Sequence, residues 1–404
     1  MAQAELNIGT VGHVDHGKST LVQALTGKFP DTHSEELKRG ITIKLGYAES
    51  VFRKCPSCPT PQCYTVEKKC GQCGGQTDEL RKVSFLDSPG HETLMATVIA
   101  ASSIMDGTLF VIAANEECPQ PQTVEHLMIL EASGIEKIIV VQNKVDLVAK
   151  EKVIEHYNQI KAFLKGTRFE NAPIIPSVAN VKGNLDALIQ AIEENIPTPK
   201  REKQDSPGKL FVARSFDVNK PGAAIEGLKG GVLGGSIVQG VLRVGDEIEI
   251  LPGALRMKKN KEYYQPLSTK IVALFAEKEK LEEARPGGLI AIGTQLDPSL
   301  TRSDSLVGSV LGKKENLPQV YSELNVHITP MERLLQKFPE SFKPNEPLVL
   351  GVGTATTVGF VVEQKKKGVK ILLKKPICFD ENDKIAVMRR AENRWRLYGT
   401  AKIA

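Results

Sequence analysis

The chain has 404 residues, of which 41% are hydrophobic and 25% are charged, and its formal net charge is +5. This length predicts two or three domains, and the composition is that of an ordinary soluble protein. No apolar run is long enough to span a bilayer, and the N-terminus lacks a basic segment followed by an apolar one. We therefore expect a cytoplasmic protein with no membrane partner, whose mild positive charge permits an anionic partner without requiring one.

The first motif is a phosphate-binding loop. Residues 12–19 read GHVDHGKS, which fits the pattern G-x-x-x-x-G-K-[ST], between a predicted buried strand at residues 6–11 and a predicted helix from residue 20. The glycines let backbone N–H groups converge on phosphate oxygens, and the helix N-terminus adds a favourable dipole. Lys18 supplies a charge to the outer phosphates, and the Ser19 hydroxyl is a predicted Mg²⁺ ligand. The alternative is a chance glycine-rich turn.

A predicted effector loop follows the first helix. Residues 31–40 are polar and lack a strong periodicity, and they lead into Arg39-Gly40-Ile41-Thr42-Ile43, which is typical of a strand. The Thr42 hydroxyl could bind Mg²⁺ when a γ-phosphate is present. The alternative is an ordinary surface loop.

The cysteines predict a metal site. The chain has seven cysteines, and two C-x-x-C pairs separated by residues 59–69 contain four of them: Cys55, Cys58, Cys70 and Cys73. Four thiolates suit tetrahedral Zn²⁺, and flanking basic residues can offset the formal charge of about −2 on the site. Because all four ligand positions are filled by protein, we predict a structural zinc-ribbon-like insert over residues 53–76, with Cys63 as a spare thiol.

A second phosphate-site motif ends the predicted strand at residues 83–87. The sequence Asp87-Ser88-Pro89-Gly90-His91 has the form D-x-P-G followed by a histidine. Asp87 is predicted to reach Mg²⁺ through water, and the Gly90 N–H to approach a γ-phosphate. His91 is the predicted catalytic residue, because it could orient an attacking water, although a lone histidine is usually structural.

The base-recognition motif completes the nucleotide site. Apolar runs at residues 108–113 and 137–141 suit buried parallel strands, and Asn143-Lys144-Val145-Asp146 follows the second as an N-K-x-D box. The Asp146 carboxylate can accept from guanine N1–H and N2–H₂ together, so a base without that donor pair is rejected. A helix at residues 150–164 and a last strand at 174–176 complete a doubly wound, mainly parallel sheet, and residues 177–180 lie at its base-binding edge.

Together these motifs resemble the translational GTPases, because GHVDHGKST, RGITI, DSPGH and NKVD stand in that family's order. Within it, the chain is most similar to the gamma-subunit family of archaeal and eukaryotic translation initiation factor 2. The closer match lies in four stretches: THSEEL at residues 32–37, the cysteine insert, RSFDVNKPG at 214–222 and GGVLGGSIVQG at 230–240. The resemblance covers almost the whole chain.

The resemblance implies a GTPase that uses GTP/GDP, Mg²⁺ and structural Zn²⁺. It implies the core of a heterotrimer with alpha and beta subunits, which carries methionyl initiator tRNA to the small ribosomal subunit and releases it on hydrolysis. The implied Mg²⁺ ligands are Ser19 and Thr42, with Asp15 and Gly40 near a further cation site. The implied GTP-binding residues are Asp15, His16, Gly17, Lys18, Ser19, Thr20, Gly90, Asn143, Lys144, Asp146, Ser177, Val178, Ala179 and Asn180.

One base-binding position departs from the family pattern. The family's last box usually has a serine immediately before the alanine, and Val178 stands there in this chain. The family contact to guanine O6 comes from the alanine N–H, so Ala179 keeps the donor.

The second half of the chain is predicted to be all β. A charged, proline-rich linker at residues 197–208 is followed by short alternating strands with glycine turns. We predict a strand at 236–244, a turn at 245–246 and a strand at 247–251, and a similar pair at 348–352 and 358–362, with a further strand at 370–373. Two antiparallel β-barrels are the simplest account, and the resembling family has two here. The predicted domains are residues 1–204 for GTP binding, 205–321 for the first barrel and 322–404 for the second.

Three basic clusters lie in the predicted barrels. They cover residues 256–261, 365–375 and 389–396, with Tyr263, Tyr264 and Trp395 in or beside two of them. One interpretation is contact with RNA phosphates and occasional base stacking, and the other is solvated edge strands that lysines keep from aggregating. Tyr47, just after the effector segment, is either part of an aminoacyl pocket or an ordinary strand residue.

Two other functions are alternatives to the hypothesis of an initiation factor. One is an elongation-type GTPase that delivers aminoacyl- or selenocysteyl-tRNA without partner subunits. The other is a zinc-stapled scaffold whose nucleotide site is only structural.

Overall fold

The computed structural model describes residues 3–30, 45–91, 94–201, 206–220, 228–259, 261–365, 368–392 and 394–404. These residues form two compact units, one of Gln3–Pro199 with Glu332–Gln336 and one of Lys200–Met331 with Lys337–Ala404. The predicted effector loop, including Gly40 and Thr42, lies outside the described residues.

The first unit is built on one mixed sheet. Its strands, within the described residues, are β1 Leu6–Val11, β2 Gly46–Lys54, β3 Tyr64–Thr65, β4 Asp78–Asp87, β5 Gly107–Ala113, β6 Ile138–Asn143 and β7 Ile174–Pro176. Their order across the sheet is β3-β2-β4-β1-β5-β6-β7. The α-helices described in this unit are α1 Lys18–Thr26, α2 Met95–Ser102, α3 Pro121–Ala132, α4 Lys150–Leu164 and α5 Leu185–Asn195.

The centre of this sheet is parallel, as the apolar runs predict. β1 pairs in parallel with β4 and β5, and β6 with β5 and β7, whereas β2 and β3 add an antiparallel edge. Every residue of β1, β5 and β6 is buried. The predicted mainly parallel α/β domain is therefore confirmed, and the predicted strands at 6–11 and 174–176 and the helix at 150–164 have the observed bounds. The carboxyl ends of the parallel strands bring Thr10, Asp87 and Asn143 to one edge.

The cysteine-containing insert is an extension of the sheet's antiparallel edge. β2 runs to Lys54, β3 pairs with its end, and β4 begins at Asp78. Tyr64 and Val66 pack against the hydrophobic core of the domain. The insert is thus joined to the sheet by strand pairing as well as by the chain.

The second unit begins with an antiparallel barrel. Its strands among the described residues are β8 Lys209–Phe216, β9 Val232–Gln239, β10 Leu242–Arg243, β11 Glu247–Lys258, β12 Lys261–Ala276, β13 Glu279–Leu281, β14 Glu283–Ala284, β15 Ile290–Thr294 and β16 Val310–Gly312. The order β11-β16-β8-β9-β15-β12 closes through pairing of β11 with β12, and β13 continues beyond β12. β10 and β14 form a separate pair.

The predicted continuous strand at 236–244 is wrong. β9 ends at Gln239, and Gly240 turns the chain with a φ of +68°, at a point where an added Cβ would lie 2.2 Å from the Ser206 carbonyl oxygen. Only glycine fits there, so the chain leaves the sheet and returns as β10. The following strand also continues past Leu251 to Lys258 and pairs with β12 and β16 instead of with β9.

A second, closed barrel completes the unit. Its strands are β17 Val320–Pro330, β18 Pro347–Val352, β19 Ala355–Lys365, β20 Gly368–Cys378, β21 Ile385–Ala391 and β22 Arg394–Ile403, in the order β17-β20-β19-β18-β21-β22. The predicted pair at 348–352 and 358–362 is the hairpin of β18 and β19. Two antiparallel barrels are therefore confirmed. The domain limits after residues 204 and 321 stay predictions, and β17 begins at Val320, just before the second limit.

In the part of the chain that the structure describes, no helix is both long enough and apolar enough to cross a membrane.

Candidate functional site

The phosphate-binding loop lies between β1 and α1, and its glycines are required by close contacts. Gly17 has a φ of +90°, and a Cβ there would lie 2.3 Å from Nδ2 of Asn143. A Cβ on Gly12 would lie 2.2 Å from the Val111 carbonyl oxygen. Asp15, which is exposed, also has a positive φ of 60°. The loop therefore takes a compact, partly left-handed path that side chains at its glycines would prevent.

The D-x-P-G segment lies directly against this loop. Lys18 is only 6% exposed, and its Nζ donates a hydrogen bond of 2.7 Å to the His13 carbonyl. A Cβ on Gly90 would lie 2.5 Å from the same Nζ and 2.8 Å from the Val14 nitrogen. Gly90 is thus next to the lysine that the sequence assigns to the outer phosphates.

The two predicted Mg²⁺ side chains from these motifs lie together. The Ser19 hydroxyl donates to Asp87 Oδ2 at 2.5 Å, and the Thr10 hydroxyl donates to Asp87 Oδ1 at 2.6 Å. Asp87 has no solvent exposure. Hydroxyl and carboxylate oxygens are the ligands that Mg²⁺ prefers, so the donor set fits this ion. Sequence reasoning missed Thr10, whose signal is a hydroxyl near the end of the buried strand that leads into the phosphate-binding loop.

Both ring nitrogens of His16 have partners outside the phosphate-binding loop. Nδ1 lies 3.1 Å from the Val111 carbonyl oxygen, and Nε2 lies 3.3 Å from Oε2 of Glu116. Burial lowers the pKa of His16 to about 4, against the opposing effects of these two acceptors. The side chain of His16 therefore anchors the loop to β5 and the segment after it.

The base-recognition side of the site is joined to the phosphate loop by Asn143. Its Nδ2 donates 2.9 Å to the His16 carbonyl, and its Oδ1 accepts the Ala179 N–H at 3.1 Å. Lys144 has a positive φ of 60°, and the Asp146 side chain is exposed. One buried amide therefore links the loop that holds phosphates to the segment that is predicted to read the base.

The segment 177–180 is part of a tight turn that is closed by hydrogen bonds to Gly183. Ser177 is buried, and its hydroxyl donates 3.2 Å to the Gly183 carbonyl. Val178 and Gly183 exchange backbone hydrogen bonds of 3.2 and 2.9 Å, and Asn180 is exposed. The predicted contact of the Ala179 N–H with guanine remains a prediction, and in this structure that N–H is donated to Asn143.

The remaining predicted residues, His91 and Thr20, are half-buried. Thr20 is in the first turn of α1. The His91 carbonyl accepts the Leu94 N–H at 2.9 Å. His91 is therefore adjacent along the chain to the glycine that packs on the phosphate loop.

The four predicted zinc ligands converge in the insert. All four Sγ atoms lie within 4.8 Å of one another, with Cys55 3.5 Å from Cys73 and Cys58 3.6 Å from Cys70. A tetrahedral site with Zn–S bonds of about 2.3 Å places sulfurs about 3.8 Å apart, so the cluster fits Zn²⁺. Backbone N–H groups of Cys73 and Gln72 lower the pKa of Cys70 to about 6, which favours a thiolate.

Cys63, the predicted spare thiol, is not among the four. It is fully buried, and its Sγ lies 3.7 Å from the Thr60 hydroxyl. Its carbonyl accepts the Cys55 N–H at 2.8 Å. Cys63 therefore supports the backbone of a ligand and packs inside the insert.

Two residues of the basic clusters have partners inside the protein, and the RNA-contact interpretation is wrong for Arg389, which is buried. Arg389 is 3% exposed, and its Nε donates 2.8 Å to Glu346. Its guanidinium also lies 4.3 to 5.5 Å from the ring centroids of Phe338, Phe342 and Tyr398. Lys375 donates 3.0 Å to the Val307 carbonyl, and burial lowers its pKa. By contrast, Arg256 and Lys258 are exposed near the end of the β11–β12 hairpin.

Tyr47 is also engaged within the protein. It is half-buried on β2, and its hydroxyl donates to Glu49. The other oxygen of Glu49 lies 2.6 Å from Nζ of Lys82, and both of these charged side chains are buried. The polar end of Tyr47 is therefore held on the sheet by a buried ion pair.

Family models match three parts of the chain. Residues 3–198 match the elongation factor Tu GTP binding domain, residues 230–312 match elongation factor Tu domain 2, and residues 322–403 match the C-terminal domain of initiation factor eIF2 gamma.

Curated relatives named translation initiation factor 2 subunit gamma match the chain over nearly its full length. The protein from Methanococcus maripaludis strain C6 is 55% identical over 401 residues, which are 98% of each chain. The protein from Archaeoglobus fulgidus is 54% identical over 403 residues, which are 99% of this chain and 94% of the relative. The protein from Methanocaldococcus jannaschii is 53% identical over 405 residues, or 99% of this chain and 98% of the relative.

Solved structures of more distant proteins share the fold. The bacterial selenocysteine-specific elongation factor EF-Sec has a TM-score of 0.75 and 24% identity, and this chain spans 58% of its length. The elongation factor SelB from Methanococcus maripaludis, with the GTP analogue GppNHp, has a TM-score of 0.72 and 23% identity, and this chain spans 79% of it.

Proposed function

Because the chain belongs to the translation initiation factor 2 gamma-subunit family, we propose that its GTP form carries methionyl initiator tRNA to the small ribosomal subunit. As a member of this family, the chain is a translation initiation GTPase that binds GTP or GDP with Mg²⁺ and hydrolyses GTP. The observation that carries the proposal is the identity to named gamma subunits over almost the full length of both chains. Alpha and beta subunits of the same factor are the proposed partners, and the cytoplasm is the proposed location.

We propose that GTP controls tRNA binding through the γ-phosphate, which Lys18 and Gly90 both contact. Their contact in the structure supports this role, because an added Cβ on Gly90 would be 2.5 Å from the lysine Nζ. Loss of the γ-phosphate on hydrolysis removes the contact that Lys18 and Gly90 share through it, and Gly90 is then free to change conformation. The tRNA-binding state is favoured while that contact lasts.

The proposed Mg²⁺ ligands are Ser19 and Thr42, with Asp87 acting through water and Asp15 and Gly40 near a further cation site. When bound, Mg²⁺ supplies positive charge that neutralises the phosphate oxygens. The Ser19 hydroxyl oxygen lies 2.5 Å from Asp87 Oδ2, which supports the proposal that both side chains belong to one Mg²⁺ site. His91 is the proposed catalytic residue, which orients the attacking water.

Guanine recognition is proposed for the edge around Asn143. The Asp146 side chain is exposed, so its carboxylate is accessible to accept the paired donors of guanine. The remaining proposed nucleotide contacts come from residues already described: His16, Gly17, Thr20, Lys144, Ser177, Val178, Ala179 and Asn180. Asn143 donates to the His16 carbonyl and accepts the Ala179 N–H. These two bonds support the view that the phosphate contacts and the base contacts form together.

We further propose that Zn²⁺ is a structural staple of the insert, bound by Cys55, Cys58, Cys70 and Cys73. The spacing of the sulfurs supports this assignment. The proposed domains are residues 1–204, 205–321 and 322–404.

Affinity capture from the cytosol of the source cells tests the proposal. The tagged full-length chain, loaded with a nonhydrolysable GTP analogue, should capture initiator tRNA and two further subunits, and with GDP it should capture much less tRNA. Asp146→Asn is the matched control, because it should lose nucleotide selectivity and tRNA together. Capture of elongator aminoacyl-tRNAs with no subunits would support the elongation alternative, and capture of neither RNA nor subunits would support the scaffold alternative.

A further inference from the structure

A buried histidine contacts the loop that lies against the phosphate site. His126 is in the second turn of α3 and has no solvent exposure. Its Nε2 lies 3.4 Å from the carbonyl oxygen of Gly90. A carbonyl oxygen can only accept, so Nε2 carries the proton and donates it. Nδ1 of the same ring is buried and has no hydrogen-bond partner among the described residues.

The ring is neutral at physiological pH. Burial, together with the smaller effect of the nearby positive charge of Lys18, lowers the pKa of His126 to about 3. A neutral imidazole has one N–H, and Gly90 is the acceptor that the structure offers to it. The interaction is therefore a single, neutral hydrogen bond from a helix side chain to a loop backbone.

Gly90 is a residue for which such a bond matters. An added Cβ would lie 2.5 Å from Lys18 Nζ, 2.8 Å from the Val14 nitrogen and 2.9 Å from the Gly12 carbonyl oxygen. The position therefore excludes any side chain. Glycine has the widest range of backbone conformations, so its orientation must be fixed by contacts from its surroundings.

We propose that His126 is a positioning residue for γ-phosphate recognition, which holds the Gly90 carbonyl and thereby orients the peptide between Gly90 and His91 and restricts the backbone of Gly90, whose N–H meets the γ-phosphate. The inference rests on the proposed role of Gly90 at the γ-phosphate. His126 does not touch the nucleotide, and it acts only through Gly90. It pre-organises the contact that GTP makes and GDP does not, so its loss weakens the binding of GTP selectively.

The test compares variants of the full-length chain that keep or remove the donor. His126→Met fills a similar volume without an N–H, and His126→Gln retains an N–H at the end of a side chain of similar length. Thr123→Val alters a buried hydroxyl on the same helix that has no hydrogen-bond partner within the described part of the chain. Affinities for GDP and for a nonhydrolysable GTP analogue are measured with Mg²⁺. One hydrogen bond predicts that His126→Met lowers analogue affinity about fivefold and changes GDP affinity less than about twofold. His126→Gln should recover the analogue affinity to within about twofold, and Thr123→Val should change neither affinity.

The proposal would be overturned if the ratio of analogue affinity to GDP affinity were the same in the native chain, His126→Met and His126→Gln. An equal loss of both affinities in His126→Met is one form of that result. If the methionine variant does not fold, His126→Asn replaces it, because its side chain is too short to reach Gly90. Failure of the native chain to bind the GTP analogue would instead contradict the proposed function, so the two failures are distinguishable.

Discussion

Oδ1 of Asn143 accepts the Ala179 N–H at 3.1 Å, so the end of β6 is tied to the turn after β7. Nδ2 of the same side chain donates 2.9 Å to the His16 carbonyl in the phosphate loop. Asn143 is 2% exposed, so neither bond is replaced easily by water. The geometry of the base-binding turn and that of the phosphate loop are therefore coupled through one side chain.

This coupling predicts that Asn143→Ala weakens GDP binding strongly. The substitution removes two buried hydrogen bonds, each of which contributes about 1 kcal/mol, and it leaves two backbone groups unpaired. We expect GDP affinity to fall on the order of 100-fold. Equilibrium titration with a fluorescent GDP derivative measures it. Asn195→Ala, which removes an amide that bonds within α5, is the control and should retain native affinity. Native affinity in Asn143→Ala would show that the two loops are positioned independently.

The cysteine cluster predicts one Zn²⁺ per chain. Cys58→Ser removes one of four converging sulfurs and should reduce the zinc content well below one, because a hydroxyl is a poor ligand for this ion. Cys63→Ser should keep one Zn²⁺, since that thiol lies outside the cluster. Elemental analysis of the purified proteins gives the ratio. Chelation should also make the insert more sensitive to protease, and an insert equally resistant with and without metal would rule out a structural staple.

His91→Ala should separate binding from chemistry. A side chain that orients the attacking water acts mainly in the transition state, so GTP affinity should stay within about twofold of native. Stimulated hydrolysis should slow by about 100-fold or more. Single-turnover assays with ribosomal subunits measure the rate, and His91→Gln should recover part of it because an amide can also orient water. A variant that loses GTP affinity but keeps the native rate constant would reverse the assignment.

Burial of His126 predicts a dependence of stability on pH. Its pKa is lowered from 6.5 to about 3 in the folded chain, so the unfolded chain binds a proton more readily between these values. The contribution to stability is complete above pH 6.5 and is lost progressively as pH falls toward 3, by about 2 kcal/mol between pH 7 and pH 5.

Urea unfolding at pH 7 and pH 5 measures this loss. His126→Gln has no titrating group at the site, so its loss of stability should be smaller than that of the native chain by about 2 kcal/mol. Other groups titrate equally in both proteins and cancel in the comparison. An identical loss in the two proteins would mean that the ring accepts a proton in the folded state at pH 5.

The sequence predicts elements well where a local pattern indicates one type of structure. β1, β7 and α4 have the predicted bounds, and α4 follows from a 3.6-residue periodicity of its apolar residues. The predicted strand at 236–244 is wrong because its break at Gly240 depends on the Ser206 carbonyl, a residue distant in sequence that no local pattern reveals.

Prediction of the candidate site is limited in the same way, because the burial and the partners of a side chain depend on residues that are distant in sequence. A motif predicts Ser19 and Asp87, but their partner Thr10 emerges only from the pairing of β1 with β4. Arg389 and Lys375 belong to basic clusters in the sequence, yet Arg389 is buried and the half-buried Lys375 donates to a backbone carbonyl. Local charge therefore does not predict which cations can reach a phosphate.

The central claim, an initiation GTPase that carries methionyl initiator tRNA, is tested most directly by tRNA affinity in the GTP-bound state. The measurement compares methionyl-initiator, methionyl-elongator and valyl-initiator tRNAs, with and without the native partner subunits. We expect methionyl-initiator tRNA to bind most tightly, valyl-initiator tRNA to bind more weakly, and the partners to raise the affinity. Tight binding of every elongator aminoacyl-tRNA by the isolated chain, with no effect of partners, would contradict the claim and favour an elongation factor.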